Sequence, residues 1–386
     1  MAEFDIIIYG ATGFTGRLVA EYINANYSNR PWAMAGRNLD KLIAVRDEMG
    51  LPSDTALVTA DASDPISIEA MAKRTKVIIT TVGPYQLYGE PLVAACAKVG
   101  TDYVDLSGEP SFMWDMIDKY NDVAKASGAR IVHSCGFDSV PSDMGVYFLQ
   151  AEASKRFGTP LKDVRCRVRS LNGTFSGGTA ASGRATMKAA MSNPKTMQKL
   201  LSPFALTPGF QGVEQPYGNK PYEDIDLGSW VAPFFMAPVN TKNVHRSNML
   251  MGHPYGTDFT YEEMIFTGPG PKGEAMAKHI ADTDPIAGQS DLKPGDGPSK
   301  EERENGSYDM MFTGVSENGE RLIVGVKGDR DPGYGSTCKV LTECAVCLLE
   351  DVANADGGIL TPAPVFGDAI IKRVSSNAGL IFEVEN

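Results

Sequence analysis

Residues 6–23, IIIYGATGFTGRLVAEYI, decide the fold. The apolar run Ile6–Tyr9 is too short for a globular helix and ends at a glycine, so it reads as a strand buried on both faces. After Gly16 the apolar residues recur at helical spacing. Gly10, Gly13 and Gly16 thus join a strand to a helix, the context in which a G-x-x-G-x-x-G turn carries meaning. Gly10 permits the tight turn, Gly13 lets phosphates approach the backbone, and Gly16 lets the helix pack on the sheet. Thr12, Phe14 and Thr15 offer amides or hydroxyls at the positive end of the helix, which suits a pyrophosphate.

Working outward, the next strand ends in AGRN, residues 35–38. A domain preferring NAD would place a carboxylate here for the ribose 2′-hydroxyl, whereas Arg37 presents a planar fork of donors that suits a 2′-phosphate. The expected cofactor is NADP(H), with Lys41 as a second positive charge. Asp61 and Ala62 follow the third strand, where the adenine is lined, and Val82, Gly83, Pro84 and Tyr85 follow the fourth, where the cofactor ribose runs. Asp61 has the alternative of serving only as a turn residue before Asp64.

Strand-like segments at Phe4–Tyr9, Trp32–Ala35, Ala56–Thr59, Lys76–Val82, Tyr103–Leu106 and Arg130–Cys135 alternate with helical ones, the βαβ rhythm of a parallel sheet. The expected fold class is α/β: a doubly wound Rossmann sheet over residues 1–140, then an α+β domain over residues 141–334. Within the second part, residues 201–243 read as irregular and residues 268–306 as partly mobile. Tyr308–Val315 and Arg321–Lys327 read as a hairpin around ENGE.

Composition narrows the function. Lys and Arg number 36 against 48 Asp and Glu, a formal charge of -12, which disfavours nucleic acid as a partner. No apolar run is long enough to span a membrane and the N-terminus carries no leader pattern, so a cytoplasmic protein is expected. The six cysteines are scattered, which suggests free thiols, and Cys344-x-x-Cys347 lies in an apolar helical run. No metal is expected.

The segments GATGFTG (10–16), AGRN (35–38), TTVGPYQLYGEPLVAACAKVGTDYVDLSGE (80–109) and CGFDSVPSD (135–143) together resemble the saccharopine dehydrogenase-like oxidoreductase family. The likeness is greatest to its mycobacterial-type trans-acting enoyl reductases. It continues through RSNMLMGHPYG (246–256), KPGDGPS (293–299) and GILTPAPVFGDAI (358–370). The resemblance implies that the second, α+β domain is built on a mixed sheet and that a C-terminal helical segment, residues 335–386, returns onto the Rossmann domain. It implies too that Gly10–Gly16, Arg37 and the loop Gly83–Tyr85 hold NADPH, and that Asp138 and its neighbours face the nicotinamide or substrate.

Enoyl reduction needs a donor at the enolate oxygen and a proton source for the α carbon. Tyr85 and Tyr88 after the fourth strand, and Asp138 after the sixth, are the candidates, each with a packing or capping role as the alternative. Cys135 and Phe137 are candidate walls of the substrate crevice. Ser176, Gly177 and Gly178 of FSGGT are a candidate anion-binding turn. The expected activity is NADPH-dependent reduction of an enoyl thioester or carbonyl of lipid or polyketide type, free or carrier-bound, by a homodimer. Two alternatives stand beside it. One is reduction of a saccharopine-type imine, for which Arg165, Arg167 and Arg169 on one strand face could hold carboxylates. The other is a non-catalytic NADP sensor or scaffold.

Overall fold

The computed structural model describes residues 2–173, 182–186, 188, 191, 193–283 and 297–385. The strands in chain order are β1 (Phe4–Tyr9), β2 (Trp32–Gly36), β3 (Ala56–Thr59), β4 (Thr75–Thr80), β5 (Asp102–Val104), β6 (Arg130–Val132), β7 (Asp163–Asn172), β8 (Tyr222–Asp224), β9 (Ser229–Pro233), β10 (Thr260–Gly268), β11 (Ser307–Val315), β12 (Arg321–Gly328), β13 (Gly358–Leu360) and β14 (Leu380–Glu385). They form two seven-stranded sheets.

The first sheet is wholly parallel, in the order β13-β6-β5-β4-β1-β2-β3. Its strand order reverses between β1 and β4, so the crevice for a ligand opens beyond the carboxyl ends of these two strands. Both faces are covered, which is why the middle of β1 is the unbroken run Ile6-Ile7-Ile8. Ile6 and Ile8 pack with Val19 and Ile23 of the helix Phe14–Asn26, while Ile7 packs on the opposite side with Ile68, Val93 and Phe112. The helix Thr337–Glu350 shares the first face, lying against β4, β5 and the helix Phe14–Asn26. This is the helical return that the family likeness implies, and β13 extends the sheet beside β6. The very end of the chain goes elsewhere, because β14 pairs with β12 in the second sheet.

That second sheet runs β14-β12-β11-β7-β10-β9-β8 and is mixed, with β7 and β10 parallel and the other pairs antiparallel. The hairpin β11–β12 forms around ENGE as read. Residues 201–243 hold more regular structure than expected: β8, β9 and the start of the helix Ala237–Leu250 all fall there. Strands of three and five residues are too short for alternation to show. Similarly, residues 268–306 contain the helices Gly270–Asp282 and Lys300–Asn305, the latter opened by a Ser299–Glu302 capping box.

The predicted strand Lys76–Val82 ends at Thr80, and Arg130–Cys135 ends at Val132. In the second case Ser134 takes a positive φ of 60° and turns the chain out of the sheet. All six cysteines are free and buried, Cys344 and Cys347 inside the helix Thr337–Glu350. Among the described residues no helix is long and apolar enough to cross a membrane, and no cluster of His, Cys, Asp and Glu could hold a metal ion.

A buried carboxylate fastens the returning segment. Glu343 accepts hydrogen bonds from the hydroxyls of Tyr22 and Tyr27, at 2.8 and 2.6 Å, and from Asn377 Nδ2 at 3.1 Å, and it pairs with Arg373 at 3.3 Å. Arg373 keeps Glu350 and Asp351 as partners and Tyr22 keeps the Asn377 carbonyl, but the Tyr27 hydroxyl and Asn377 Nδ2 lose their acceptor, so Glu343→Ala should cost about 1–3 kcal/mol of unfolding free energy, read by urea denaturation. A loss near zero would show that the returning segment is held by apolar packing alone.

Candidate active site

The crevice is built first by backbone. Gly10 has a φ of +94°, and a Cβ there would sit 2.7 Å from Thr81 Oγ1 and 2.9 Å from Val82 Cγ2. At Gly16 a Cβ would overlap the Gly10 carbonyl. Only glycine allows strand, turn and helix to meet this closely. The first helical bond runs from Arg17 N–H to the Gly13 carbonyl, at 3.0 Å, so the amides of Phe14, Thr15 and Gly16 head the helix without intrahelical acceptors. Thr12 and Gly13 lie in the turn before them. Open amides at a helix start, approached by glycines with no room for side chains, fit a dinucleotide pyrophosphate.

Phe14 has a second task unseen in the sequence. Its ring meets Tyr334 edge-on at 5.2 Å, lies 5.5 Å from the Arg303 guanidinium, and leaves no room for a side chain on Gly297. The phosphate turn is thereby gripped by residues from the second half of the chain.

Arg37 and Lys41 are exposed beyond β2. Asn38 Oδ1 accepts from Lys41 N–H at 2.8 Å and caps the helix Leu39–Glu48, a role that its position before the helix could have revealed. Asp61 accepts from Ser63 N–H and Oγ–H at 2.9 and 2.8 Å, so it makes the turn allowed as its alternative. Those bonds hold its carboxyl below the usual range, with Arg37 adding to the effect. Tyr9 ends β1 beside them; burial first, then the Asp61 charge, push its phenol up to about 12, and a bond with the Ala62 backbone opposes them.

The second wall is Val82-Gly83-Pro84-Tyr85, with a cis bond between Gly83 and Pro84. Tyr85 is buried. Its hydroxyl donates to the Thr80 carbonyl at 3.2 Å and accepts from Leu106 N–H at 3.1 Å, and burial raises its pKa well above the ordinary value. The phenol proton is therefore engaged by backbone and not offered to a substrate. Tyr88, three residues on, is exposed on the short helix Tyr85–Tyr88.

The third wall is residues 133–138, the loop between β6 and the helix Val140–Phe157. Asp138 is partly buried, with its carboxylate folded toward Gly136 and near Gly108. Burial pushes its carboxyl up to about 7; a bond with its own backbone opposes this and the negative Asp105 adds to it. Cys135 is fully buried, and burial raises its thiol pKa well above the ordinary value, so it is inert wall. Phe137 packs edge-on to Tyr308 at 4.8 Å and donates its N–H to Thr337 Oγ1 at 2.9 Å. Both side chains are buried beneath the loop. Ser176, Gly177 and Gly178 lie outside the described residues.

Two residues without a role in the sequence reading organise these walls: Asp105 and Glu109, at the ends of the turn after β5. Glu109 accepts from the amides of Tyr85 and Gln86, and Asp105 from those of Ser107 and Ser134. Asp two residues before an amide it can accept from, and a glutamate just before proline, are turn and helix-start patterns that could have marked them.

The three arginines of β7 do not converge on a free anion site. Arg165 pairs with Asp224 and Asp226, Arg167 with Asp224 and Glu262 at 2.9 and 2.6 Å, and Arg169 with Asp309 and Glu385 at 2.7 and 2.6 Å. Their charges are spent within the second sheet.

If Arg37 reads the 2′-phosphate, Arg37→Ala weakens NADPH roughly ten- to a hundredfold, the range of one charge-assisted hydrogen bond, and leaves NADH nearly unchanged. Titration of both nucleotides checks this, and equal losses would remove Arg37 from the cofactor site.

The saccharopine dehydrogenase NADP binding domain family matches residues 6–132. A Mycobacterium tuberculosis protein provisionally named a trans-acting enoyl reductase is 42% identical over 96% of this chain and 95% of its own length. The Mycobacterium ulcerans trans-acting enoyl reductase is 39% identical over 96% of each chain. Apo saccharopine dehydrogenase (L-Glu forming) from Saccharomyces cerevisiae shares the fold at a TM-score of 0.54, with 12% identity over 99% of this chain and all of that one. With the glycine cradle, the open helix start and a relationship that spans almost the whole length, this chain is an NADP-dependent oxidoreductase and belongs to the trans-acting enoyl reductases of the saccharopine dehydrogenase-like family.

Proposed function

We propose that the protein reduces the carbon–carbon double bond of an α,β-unsaturated thioester or carbonyl of lipid or polyketide type, with Asp138 supplying the proton. The observation that carries the assignment is the Asp138 carboxyl, held up to about 7 at the crevice wall. NADPH, when bound, supplies two electrons and one hydrogen as hydride for the β carbon. The second hydrogen is the Asp138 proton, delivered to the α carbon and regained from solvent. An acid with a pKa near the working pH is both protonated in useful amount and willing to give its proton up. The two tyrosines are less suited, since the Tyr85 hydroxyl is bound to backbone and Tyr88 faces solvent.

The names of the relatives support an enoyl substrate. The imine alternative loses its support with the paired arginines of β7, because a substrate carrying several carboxylates needs free guanidinium groups. Buried crevice walls and the apolar surroundings of Asp138, with Leu106, Met236 and the Thr337 methyl near the adjoining glycines, suit a lipid-like chain.

Incubating the protein with NADPH and a medium-chain enoyl thioester should consume NADPH and yield the saturated product. Tight NADPH binding without turnover of enoyl thioesters, enones or imines would instead favour a sensor. Asp138→Asn should lower kcat about 10²- to 10⁴-fold. Because the protonated form is the active one, the wild-type rate should fall as pH rises through about 7, and that limb should vanish in the variant. A pH profile that is the same in both proteins would put the proton source elsewhere.

A further inference from the structure

The turn from Asp105 to Glu109 holds two carboxylates that are 0% and 1% exposed. Both oxygens of each are engaged as acceptors. Glu109 Oε1 and Oε2 accept from the amides of Tyr85 and Gln86 at 2.9 and 2.8 Å. Asp105 Oδ1 accepts from the amides of Ser107 and Ser134 at 3.0 and 2.9 Å; its Oδ2 accepts from the Tyr103 hydroxyl at 2.8 Å and faces His133 Nδ1 at 2.7 Å. The Asp105 carbonyl also accepts from Cys135 N–H, at 2.7 Å.

An Oδ2 that already accepts from Tyr103 requires the proton on His133 Nδ1. His133 Nε2 is buried without a hydrogen-bond partner, so the ring is held through Nδ1 alone. Among the described residues no Lys or Arg pairs with either carboxylate, although elsewhere in the chain buried acids such as Asp224 and Glu343 sit against arginine. Two buried carboxylates without a Lys or Arg partner thus lie directly behind the loops 82–86 and 133–138. Their field reaches the crevice: Asp105 is felt at Asp138, and both carboxylates are felt at Tyr85.

Hydrogen bonds to charged acceptors are strong enough to keep such groups buried, but they do not cancel the charge at a distance. We propose that Asp105 and Glu109 are positioning residues that fix both crevice loops, and that their uncompensated charge favours the oxidised, cationic nicotinamide ring over the reduced, neutral one, promoting hydride release. This rests on the proposed function, with the nicotinamide between those loops, as the family likeness implies for Gly83–Tyr85 and Asp138.

The test is the pair of dissociation constants for NADP+ and NADPH, measured by titration without substrate. Glu109→Gln and Asp105→Asn should each weaken NADP+ roughly tenfold more than NADPH, the order expected when one unit charge is removed from a buried site. Asp105→Asn preserves the fold most readily, since the amide can donate to His133 Nδ1 in its other tautomer while Tyr103 turns to accept. Glu109→Asp keeps the charge and should hold the wild-type ratio even where both affinities drop. Arg37→Ala is the control, because the 2′-phosphate is common to both nucleotides and the ratio should not move.

A merely structural role shifts both constants by one factor. That result, or an unchanged ratio in either neutral variant, overturns the proposal. No substrate enters the measurement, so a failure to reduce enoyl thioesters beside a shifted ratio would sink the substrate reading and leave this inference standing.

Discussion

Everything in the nucleotide-binding half is set by how closely Gly16 approaches the Gly10 carbonyl. That contact fixes the angle at which the helix Phe14–Asn26 leaves β1, and with it the direction of the open amides at its start. It also brings the end of β1 against Thr81 and Val82, so the β1 and β4 loops form one continuous lip. A methyl group at Gly16 would push the helix off the sheet, and one at Gly10 would collide with Thr81 and Val82. The Phe14 ring leaves the turn on the far side and finds Tyr334, Arg303 and Gly297. One backbone approach therefore shapes the ligand surface and the joint with the second sheet.

The first sheet was legible because its strands are buried on both faces and bounded by turn residues, which leaves a plain apolar run in the sequence. The glycine turn and Asp64, which caps the helix Pro65–Ala72, were legible for the same reason: each is a local device whose partner lies a few residues away. The crevice was legible only in part. Asp138 could be picked out by position, but its raised pKa depends on burial and on Asp105, thirty-three residues earlier in the turn after β5. Asp105 and Glu109 read as ordinary turn residues because nothing local shows that Ser134, Tyr85 and Gln86 come to them. Tyr85 looked like a donor for the converse reason, since the backbone groups that occupy its hydroxyl are remote in sequence or hidden in a strand end.

The helix Ala237–Leu250 shows the same limit in the second domain. Asn240, Asn243, His245, Arg246 and Ser247 would suggest a solvated helix, yet all are buried. Each finds partners that only the tertiary fold provides. Arg246 donates to the carbonyls of Leu206 and Ile359, Asn240 joins Ser139, Ser142 and Glu263, and Ser247 meets Asp143 and Thr361. Polar groups can enter a core when all but a few are satisfied, and pattern reading based on apolar periodicity misses helices of this kind. The arginines of β7 are the strand counterpart, with charges that resemble a binding site until their carboxylates are located.

The placement of β13 and β14 bears on how the protein comes into being. One joins the parallel sheet beside β6 and the other joins the mixed sheet beside β12, although only nineteen residues separate them. Until residues 358–385 have been synthesised, β6 and β12 each lack their outer neighbour, and unpaired strand edges invite mispairing. The two halves mature together, and deleting β14 would bare β12 in a nascent chain while β13 still covered β6.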